Sequence, residues 1–214
     1  MSDSELREDI CSWAKSLFDR GLTGGASGNI SVRTGDGGLL VTPTGVSMGR
    51  LDPARLSRFD ATGRHISGDA PTKEMPLHSA FYETRRSAGA VVHLHSTHSV
   101  ALSILPETDP ENAVPPLTAY AVMRVGKVAL LPFFVPGDAG MAEAIRGLAG
   151  RRAAVLLANH GPVVASKDLE AAVFAMEELE ETAKLALLLR GTGAQPLDAD
   201  QIGQVVRKFE VDWD

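Results

Sequence analysis

The sequence contains only one cysteine, Cys11, among its 214 residues. A single cysteine excludes an internal disulfide framework and a cysteine-based zinc site, and this fits a reducing cytoplasm. The chain also lacks an apolar run of the roughly 18 residues that a membrane-spanning helix needs. Its most apolar segment, residues 128–135, is interrupted by Pro132, and its first ten residues are acidic and polar, unlike a signal peptide. We therefore predict a cytoplasmic protein without a membrane partner.

Positive charge is scarce as well. The chain has 21 Lys and Arg against 27 Asp and Glu, which gives a net charge of −6. Because the basic residues are scattered, the charge argues against a nucleic-acid-binding surface, although a local basic pocket for a small anion is still compatible with it. A hydrophobic content of 44% is typical of a globular protein. We expect residues 1–214 to form a single domain.

The pattern of apolar residues predicts a mixed α/β fold. Apolar residues recur at helical spacing from Leu6 to Leu17, and a β-hairpin is expected over 29–42 around a Gly/Asp turn. The predicted helices are 4–20, 75–87, 96–104, 138–149, 168–190 and 198–208. The further predicted strands are 56–59, 64–67, 88–95, 127–132, 153–160 and 161–166. Since hairpins and unequal spacings do not suit an alternating βαβ series, a mainly antiparallel sheet covered by helices is expected.

Three of the six histidines lie within the eight residues "VVHLHSTH", 91–98. In an extended strand His93 and His95 point to the same side, while Leu94 faces the core. One interpretation is that these two imidazoles, which lie on one face, form part of a metal site. Alternatively, they are two strand-end histidines that bond to the backbone. The motif alone leaves both interpretations open.

A catalytic zinc site needs at least three protein ligands. His160 is the candidate third ligand, since it follows an apolar strand and precedes Gly161 and Pro162, where the chain turns. Three histidines at strand ends of one sheet can converge on one point, so metal binding is favoured over a structural role. His98 is expected to face elsewhere, in a supporting or structural role. The two remaining histidines, His65 and His78, are interpreted as ordinary surface or packing residues.

Glu74 lies where a helix begins, in the stretch "PTKEMP", because Pro76 is tolerated only in a first helical turn. Exposed N–H groups at a helix start favour anions, so Thr72 and Lys73 can bind a phosphate while Glu74 faces the metal. The alternative is that Glu74 merely complements the helix dipole.

Two other segments suit an anion. "GGASGNIS" offers closely spaced glycines with Ser27 and Asn29, and "TPTG" offers Thr44 and the amide of Gly45. Neither segment has the spacing of a P-loop or a dinucleotide-binding loop, and each alone is more often a turn. They support a phosphate site only as a set.

Taken in order, "GLTGGASGNISVR", "VTPTG", "PTKE", "VVHLHSTHS" and "ANHGPVV" resemble the class II aldolase and adducin head family over nearly the whole chain. The resemblance implies a three-layer α/β/α fold, a mainly antiparallel sheet, and a homotetramer with active sites between subunits. It implies one Zn²⁺ per subunit, or another divalent metal, bound by His93, His95 and His160, with Glu74 as the acid or base. It also implies a phosphate pocket formed by Gly28, Asn29, Thr44, Gly45, Thr72 and Lys73.

Lys73 departs from the two small residues, typically Ser-Ser, that aldolases and epimerases of this family carry before the catalytic carboxylate. With "PPLTAYAVMRVG", the "PTKE" stretch makes the chain more similar to the 3-oxo-tetronate 4-phosphate decarboxylases. A lysine suits a substrate with a carboxylate as well as a phosphate, and the alternative is that Lys73 is a second phosphate contact. The implied reaction is zinc-dependent decarboxylation to dihydroxyacetone phosphate and CO₂ through a metal-stabilised enediolate. Tyr120 resembles the proton-donating tyrosine of the family's aldolases, although it also suits a packing role.

Two alternatives stay open. One is a class II aldolase or epimerase that acts on fuculose, rhamnulose or ribulose phosphates. The other is a non-catalytic, adducin-like interaction module.

Overall fold

The computed structural model describes residues 2–213. Its helices are α1 Asp3–Asp19, α2 Met75–Thr84, α3 Thr97–Ile104, α4 Ala119–Arg124, α5 Ala139–Gly147, α6 Leu169–Leu189 and α7 Ala199–Phe209. Its strands are β1 Asn29–Arg33, β2 Leu39–Val41, β3 Ser57–Phe59, β4 His65–Ser67, β5 Ala90–His93, β6 Val128–Leu131, β7 Ala154–Leu157 and β8 Gly161–Ser166. Short 3-10 helices follow β2, at Met48–Arg50 and Pro53–Arg55.

The eight strands form one sheet in the order β4-β3-β2-β1-β5-β8-β7-β6. Every neighbouring pair is antiparallel except β6 and β7. These two strands are parallel because α5 connects them, and a parallel pair needs such a crossover. The predicted mainly antiparallel sheet is confirmed.

Helices cover both faces of the sheet. Strand β5 shows the alternation: Val92 and the following Leu94 pack with α1 and α6, whereas Val91 packs with α2 and α5. Val91, Val92 and Leu94 are fully buried, and burial of such a side chain contributes about 1.5–3 kcal/mol. The three-layer α/β/α fold is therefore confirmed, and His93 lies on the face that α2 covers.

Several predicted boundaries were wrong. Strand β5 ends at His93 and β7 ends at Leu157, so His95 and His160 lie just beyond their strands. Helix α2 ends at Thr84 instead of residue 87. Helix α4 was missed because it is only six residues long, too short for a periodic apolar face. The signal that could have revealed it is Thr118, whose hydroxyl caps the helix by accepting from the Ala121 N–H.

Within residues 2–213, no helix combines the length and the apolar character that crossing a bilayer requires.

A carboxylate from α6 caps the start of α3. The N-cap Ser96 makes no capping hydrogen bond with its own side chain. Instead, Glu180 accepts from the His98 N–H at 2.9 Å, the Ser99 N–H at 2.9 Å and the Ser99 hydroxyl at 2.6 Å. Burial raises the pKa of Glu180, but these hydrogen bonds outweigh it and hold the pKa below its ordinary value. Glu180 thus fixes the turn that follows His95.

We expect Glu180→Gln to lower the free energy of unfolding by about 2 kcal/mol at pH 7, because buried N–H donors lose a charged acceptor. A carboxyl with a depressed pKa in the folded state stabilises above its unfolded pKa and loses that effect as the pH falls through the folded value. The difference between wild type and Glu180→Gln should therefore shrink below the ordinary glutamate value of 4.5. Urea unfolding at several pH values measures it.

Glu181→Gln is the matched control, since Glu181 lies on the same helix with a side chain that is 70% exposed. A loss of stability for Glu181→Gln as large as that for Glu180→Gln would contradict the capping role.

Candidate metal centre

Three imidazole nitrogens converge at the ends of β5 and β7. The Nε2 atoms of His93 and His95 are 3.2 Å apart, those of His93 and His160 are 3.3 Å apart, and those of His95 and His160 are 3.1 Å apart. His93 and His160 are buried, and His95 is half-buried. The prediction that these three histidines meet is confirmed, although His95 reaches the cluster from beyond the strand.

The β5–β8 pair positions this triangle. The Pro162 carbonyl accepts a hydrogen bond from the Leu94 N–H at 3.2 Å and from His93 Nδ1 at 2.9 Å. Since Nδ1 of His93 carries the proton, its Nε2 presents a lone pair to the centre. Gly161 allows the close approach, because a Cβ there would lie 2.2 Å from the Leu94 carbonyl oxygen.

Glu74 completes the cluster. Its Oε2 lies 3.4 Å from His93 Nε2, and its Oε1 lies 3.3 Å from His160 Nε2. Oε1 is buried and makes no hydrogen bond within the described residues. Glu74 is the N-cap residue of α2, as predicted, but its side chain does not cap the helix. Complementing the dipole of α2 therefore does not by itself explain the position of the Glu74 side chain.

The four side chains fit a divalent metal ion. Their ligand atoms all lie within 4.8 Å of one another. Tetrahedral zinc with Zn–N bonds of about 2.0–2.1 Å requires nitrogens about 3.3–3.4 Å apart, close to the observed triangle. Three neutral nitrogens that face one another repel, so a cation between them is the complementary group. A carboxylate oxygen without a hydrogen bond adds negative charge at the same point.

Burial and neighbouring groups together shift the pKa values of His95, His160 and Glu74. It lowers the pKa of His95 to about 4, with further lowering from His93 and His160. Burial and His93 also lower the pKa of His160. Burial raises the pKa of Glu74, but His93, the Asn29 hydrogen bond and His160 outweigh it, so the pKa lies below its ordinary value. At neutral pH the site therefore offers neutral imidazoles from His95 and His160 and a carboxylate from Glu74.

Several residues of the predicted phosphate pocket lie around this cluster. Asn29 is opposite His93 in the β1–β5 ladder and donates from Nδ2 to Glu74 Oε2 at 2.7 Å. A Cβ on Gly28 would lie 3.1 Å from the His93 carbonyl oxygen, so this glycine packs directly against the ligand strand. Thr72 is buried, and its hydroxyl accepts from the Glu74 N–H at 3.2 Å.

The "TPTG" turn meets the segment that leads to Glu74. The Thr44 N–H donates to the Ala70 carbonyl at 2.9 Å, and the Thr72 N–H donates to the Thr42 carbonyl at 3.3 Å. Thr44, Gly45 and Lys73 are exposed. A phosphate role for these residues stays a prediction.

The structure does not bring Tyr120 to the metal cluster of its own chain. Tyr120 is 56% exposed on α4, beside Arg124, and lines a surface groove with Phe174 and three glutamates of α6. No signal in the sequence indicated that Tyr120 lies away from the three histidines of its own chain.

The other histidines have distinct surroundings. Nδ1 of His98 lies 2.8 Å from Glu180 Oε1, and this contact faces away from the triangle as expected. His65 is exposed at the edge strand β4, also as expected. His78 is fully buried, so of the two predicted roles it has the packing one, and it also contacts Asn29, a partner that the sequence did not indicate. The spacing of four residues from Glu74 could have revealed that both share one face of a helix.

A family model described as Class II Aldolase and Adducin N-terminal domain matches residues 8–187. A 3-oxo-tetronate 4-phosphate decarboxylase from Pectobacterium atrosepticum is 47% identical, with 95% of this chain and 94% of the relative covered. An L-fuculose phosphate aldolase from Escherichia coli strain K12 is 32% identical, with 98% and 96% covered. The crystal structure of YgbL from Escherichia coli matches with a TM-score of 0.92 and 46% identity, with 95% of this chain and 98% of that chain covered.

We expect the purified chain to bind one divalent ion per subunit, and His95→Ala to weaken zinc binding by more than the roughly 10–100-fold that loss of an outer hydrogen-bond partner costs. Titration calorimetry with Zn²⁺ and elemental analysis measure the effect. His65→Ala is the control, because His65 is exposed and outside the cluster. Equal zinc affinity of the two variants would contradict the assignment.

Proposed function

Because the chain belongs to the class II aldolase and adducin N-terminal domain family, we propose that it is a metal-dependent carbon–carbon lyase that converts 3-oxo-tetronate 4-phosphate to dihydroxyacetone phosphate and CO₂. The observation that carries the proposal is the Glu74 and three-histidine cluster in a chain 47% identical to proteins with that name. We propose Zn²⁺ as the ion, one per subunit, held by His93, His95 and His160.

A bound divalent ion would supply a Lewis acid for the substrate's keto oxygen. A neutral imidazole ligand adds no negative charge, so the ion would keep its full positive charge for this role. When CO₂ leaves, the electron pair of the broken carbon–carbon bond passes towards the keto oxygen, and the carbon finally takes a proton. Glu74 is the proposed relay for this proton: as a carboxylate it first takes the proton from solvent and then passes it to the carbon, and its Oε1 is buried with no competing hydrogen bond in residues 2–213.

Recognition of the substrate's two anionic groups is assigned to the residues around the cluster. Lys73 is exposed, adjacent to Glu74, and forms no salt bridge with any other described residue. Its charge is therefore available for the carboxylate or the phosphate. The proposed phosphate contacts come from Gly28, Asn29, Thr44, Gly45 and Thr72.

A sugar-phosphate aldolase is the second candidate, supported by the 32% identical L-fuculose phosphate aldolase. Both reactions break a carbon–carbon bond beside a keto group, so the cluster suits either of them. Lys73 favours the decarboxylase, because an aldehyde product carries no carboxylate for it to neutralise. An adducin-like interaction module without catalysis is disfavoured by the complete cluster.

The acidic net charge of −6 supports a small-molecule substrate and no nucleic-acid partner. We also propose a cytoplasmic location, which the single cysteine supports.

We expect the zinc-loaded protein to release dihydroxyacetone phosphate from a racemic 3-oxo-tetronate 4-phosphate, in a reaction that a chelator abolishes. Glu74→Gln should lower kcat by at least about 100-fold, because general acid–base catalysis contributes about 10²–10⁴-fold. Lys73→Ser should mainly raise KM, since the lysine binds the substrate's charge and moves no proton. A coupled assay for dihydroxyacetone phosphate measures each effect.

No product from zinc-loaded wild type would overturn the decarboxylase proposal. Cleavage of fuculose, rhamnulose or ribulose phosphates by the same sample would then favour the aldolase.

We further propose a homotetramer in which Tyr120 of one subunit reaches the active site of a neighbour and assists proton transfer. The exposure of Tyr120 supports this, because a phenol outside its own cluster is free to meet another subunit. We expect Tyr120→Phe and His95→Ala to be nearly inactive separately. When the two variants are co-assembled in equal amounts, they should regain roughly a quarter of wild-type activity. A shared site is intact only where the Tyr120→Phe subunit supplies the histidines and a neighbouring His95→Ala subunit supplies Tyr120, and random assembly gives this pairing at roughly a quarter of the sites.

Light scattering measures the mass of the assembly alongside activity. A monomeric active enzyme, or no recovery in mixed tetramers, would contradict the shared site.

A further inference from the structure

Two rows of polar side chains face each other between α2 and β1, behind the metal centre. On α2 the row has helical spacing of four residues, and on β1 it has strand spacing of two. The helical row consists of the N-cap residue Glu74 followed by His78 and Tyr82. The row on β1 consists of Asn29, Ser31 and Arg33. Four helical residues advance about 6.0 Å and two strand residues about 6.6–6.8 Å, so the rows stay in register.

The first links of this network join Glu74 to His78 through Asn29. Asn29 Nδ2 donates to Glu74 Oε2 at 2.7 Å, and Asn29 Oδ1 meets His78 Nε2 at 2.5 Å. His78 is fully buried, and Asn29 is 5% exposed. Both ends of the asparagine amide are therefore held by protein groups.

The network continues away from the metal centre. His78 Nδ1 lies 2.7 Å from the Ser31 hydroxyl, which lies 2.9 Å from the Tyr82 hydroxyl. Tyr82 donates to the Ser31 carbonyl at 2.9 Å, and the Arg33 guanidinium stacks over the Tyr82 ring at 4.5 Å. These contacts anchor the ring of His78 on its far side.

The donors in the first links can point in only one direction. The Glu74 carboxylate accepts hydrogen bonds and cannot donate, so Asn29 must turn its NH₂ group towards it and its oxygen towards His78. His78 Nε2 must then carry a proton. Burial and His93 lower the pKa of His78 to about 3, so the ring is neutral and its Nδ1 accepts from Ser31.

We infer that His78 is a positioning residue: its Nε2–H holds the Asn29 amide in the orientation that donates to Glu74, and this fixes the Glu74 carboxylate beside the three histidines. Within residues 2–213, the ring of His78 hydrogen-bonds to Asn29 and Ser31 and to none of the four residues of the metal cluster, and only its backbone N–H reaches Glu74, whose carbonyl accepts it at 3.3 Å. The catalytic consequence rests on the proposed function, because there Glu74 delivers the proton.

Three substitutions at His78 separate the two ring nitrogens. His78→Gln retains an N–H donor near the Nε2 position, His78→Asn retains only a polar group near Nδ1, and His78→Leu removes both at similar volume. We expect kcat within about threefold of wild type for His78→Gln and about 10–100-fold lower for His78→Asn and His78→Leu, as for other outer hydrogen-bond partners. KM should stay unchanged, because His78 is fully buried and out of a substrate's reach.

Leu77→Ala is the stability control, since Leu77 is the fully buried neighbour on α2 and packs into the apolar core. It should lower the melting temperature at least as much as His78→Leu while kcat is retained. If kcat falls equally in both, lost stability explains the effect and the positioning role is overturned.

An independent measurement reads Asn29 directly. The chain has only three asparagines, Asn29, Asn112 and Asn159, so the ¹⁵N side-chain amide spectrum is simple to assign. Exchange of the Asn29 NH₂ protons with solvent should be slow in wild type and His78→Gln, and at least about tenfold faster in His78→Leu as its hydrogen-bonded orientation is lost. Unchanged exchange in His78→Leu would overturn the inference.

The two proposals can fail separately. If wild type makes no dihydroxyacetone phosphate but Asn29 exchange follows the expected order, the positioning role of His78 stands and the proposed function fails. If wild type is active and His78→Leu keeps its kcat, the positioning inference fails and the proposed function stands.

Discussion

The antiparallel pairing of β5 with β8 is the constraint on which the metal centre depends. It places His93 opposite Val163, and it brings the turn that carries His160 against the residues after β5. The sheet must hold this register within one residue, because a slip by one would send His93 to the face covered by α1 and α6. The apolar side chains on both faces make that slip costly, so the hydrophobic core determines the geometry of the polar site.

Polar burial at the centre opposes folding. Three imidazoles, a carboxylate and the fully buried His78 all lose water, and each buried group costs free energy unless it is hydrogen-bonded. The protein offsets most of this cost with directed partners, such as the Pro162 carbonyl for His93 and the Asn29 amide for Glu74. Glu74 Oε1 and the triangle of Nε2 atoms face the proposed ion, while two further buried atoms among the described residues, His160 Nδ1 and Ser96 Oγ, also have no hydrogen-bond partner. An ion that binds the folded chain at this point would therefore stabilise it against unfolding.

Residue patterns predicted a mainly antiparallel sheet covered by helices and the metal cluster because these follow from short periods, whereas the three-layer arrangement was implied by the family resemblance. The alternation around Leu94 predicted that His93 and His95 lie together, and they do so even though the strand ends at His93. Patterns did not reveal the role of His78, because its partners Asn29 and Ser31 are more than 40 residues away along the chain. They also missed α4, which is too short for a periodic signal, and they could not place Tyr120 relative to the cluster.

The matched spacing of α2 and β1 also restricts how this chain can change in length. An insertion or deletion of one residue between Asn29 and Arg33 would rotate the remainder of the strand by half a period and exchange the two faces of the sheet. A substitution in this strand alters one contact at a time, whereas a change in length would disrupt all the contacts between the β1 row and the α2 row that follow the change. Related sequences should therefore vary in residue type along β1 but accommodate insertions only in the turn that follows it.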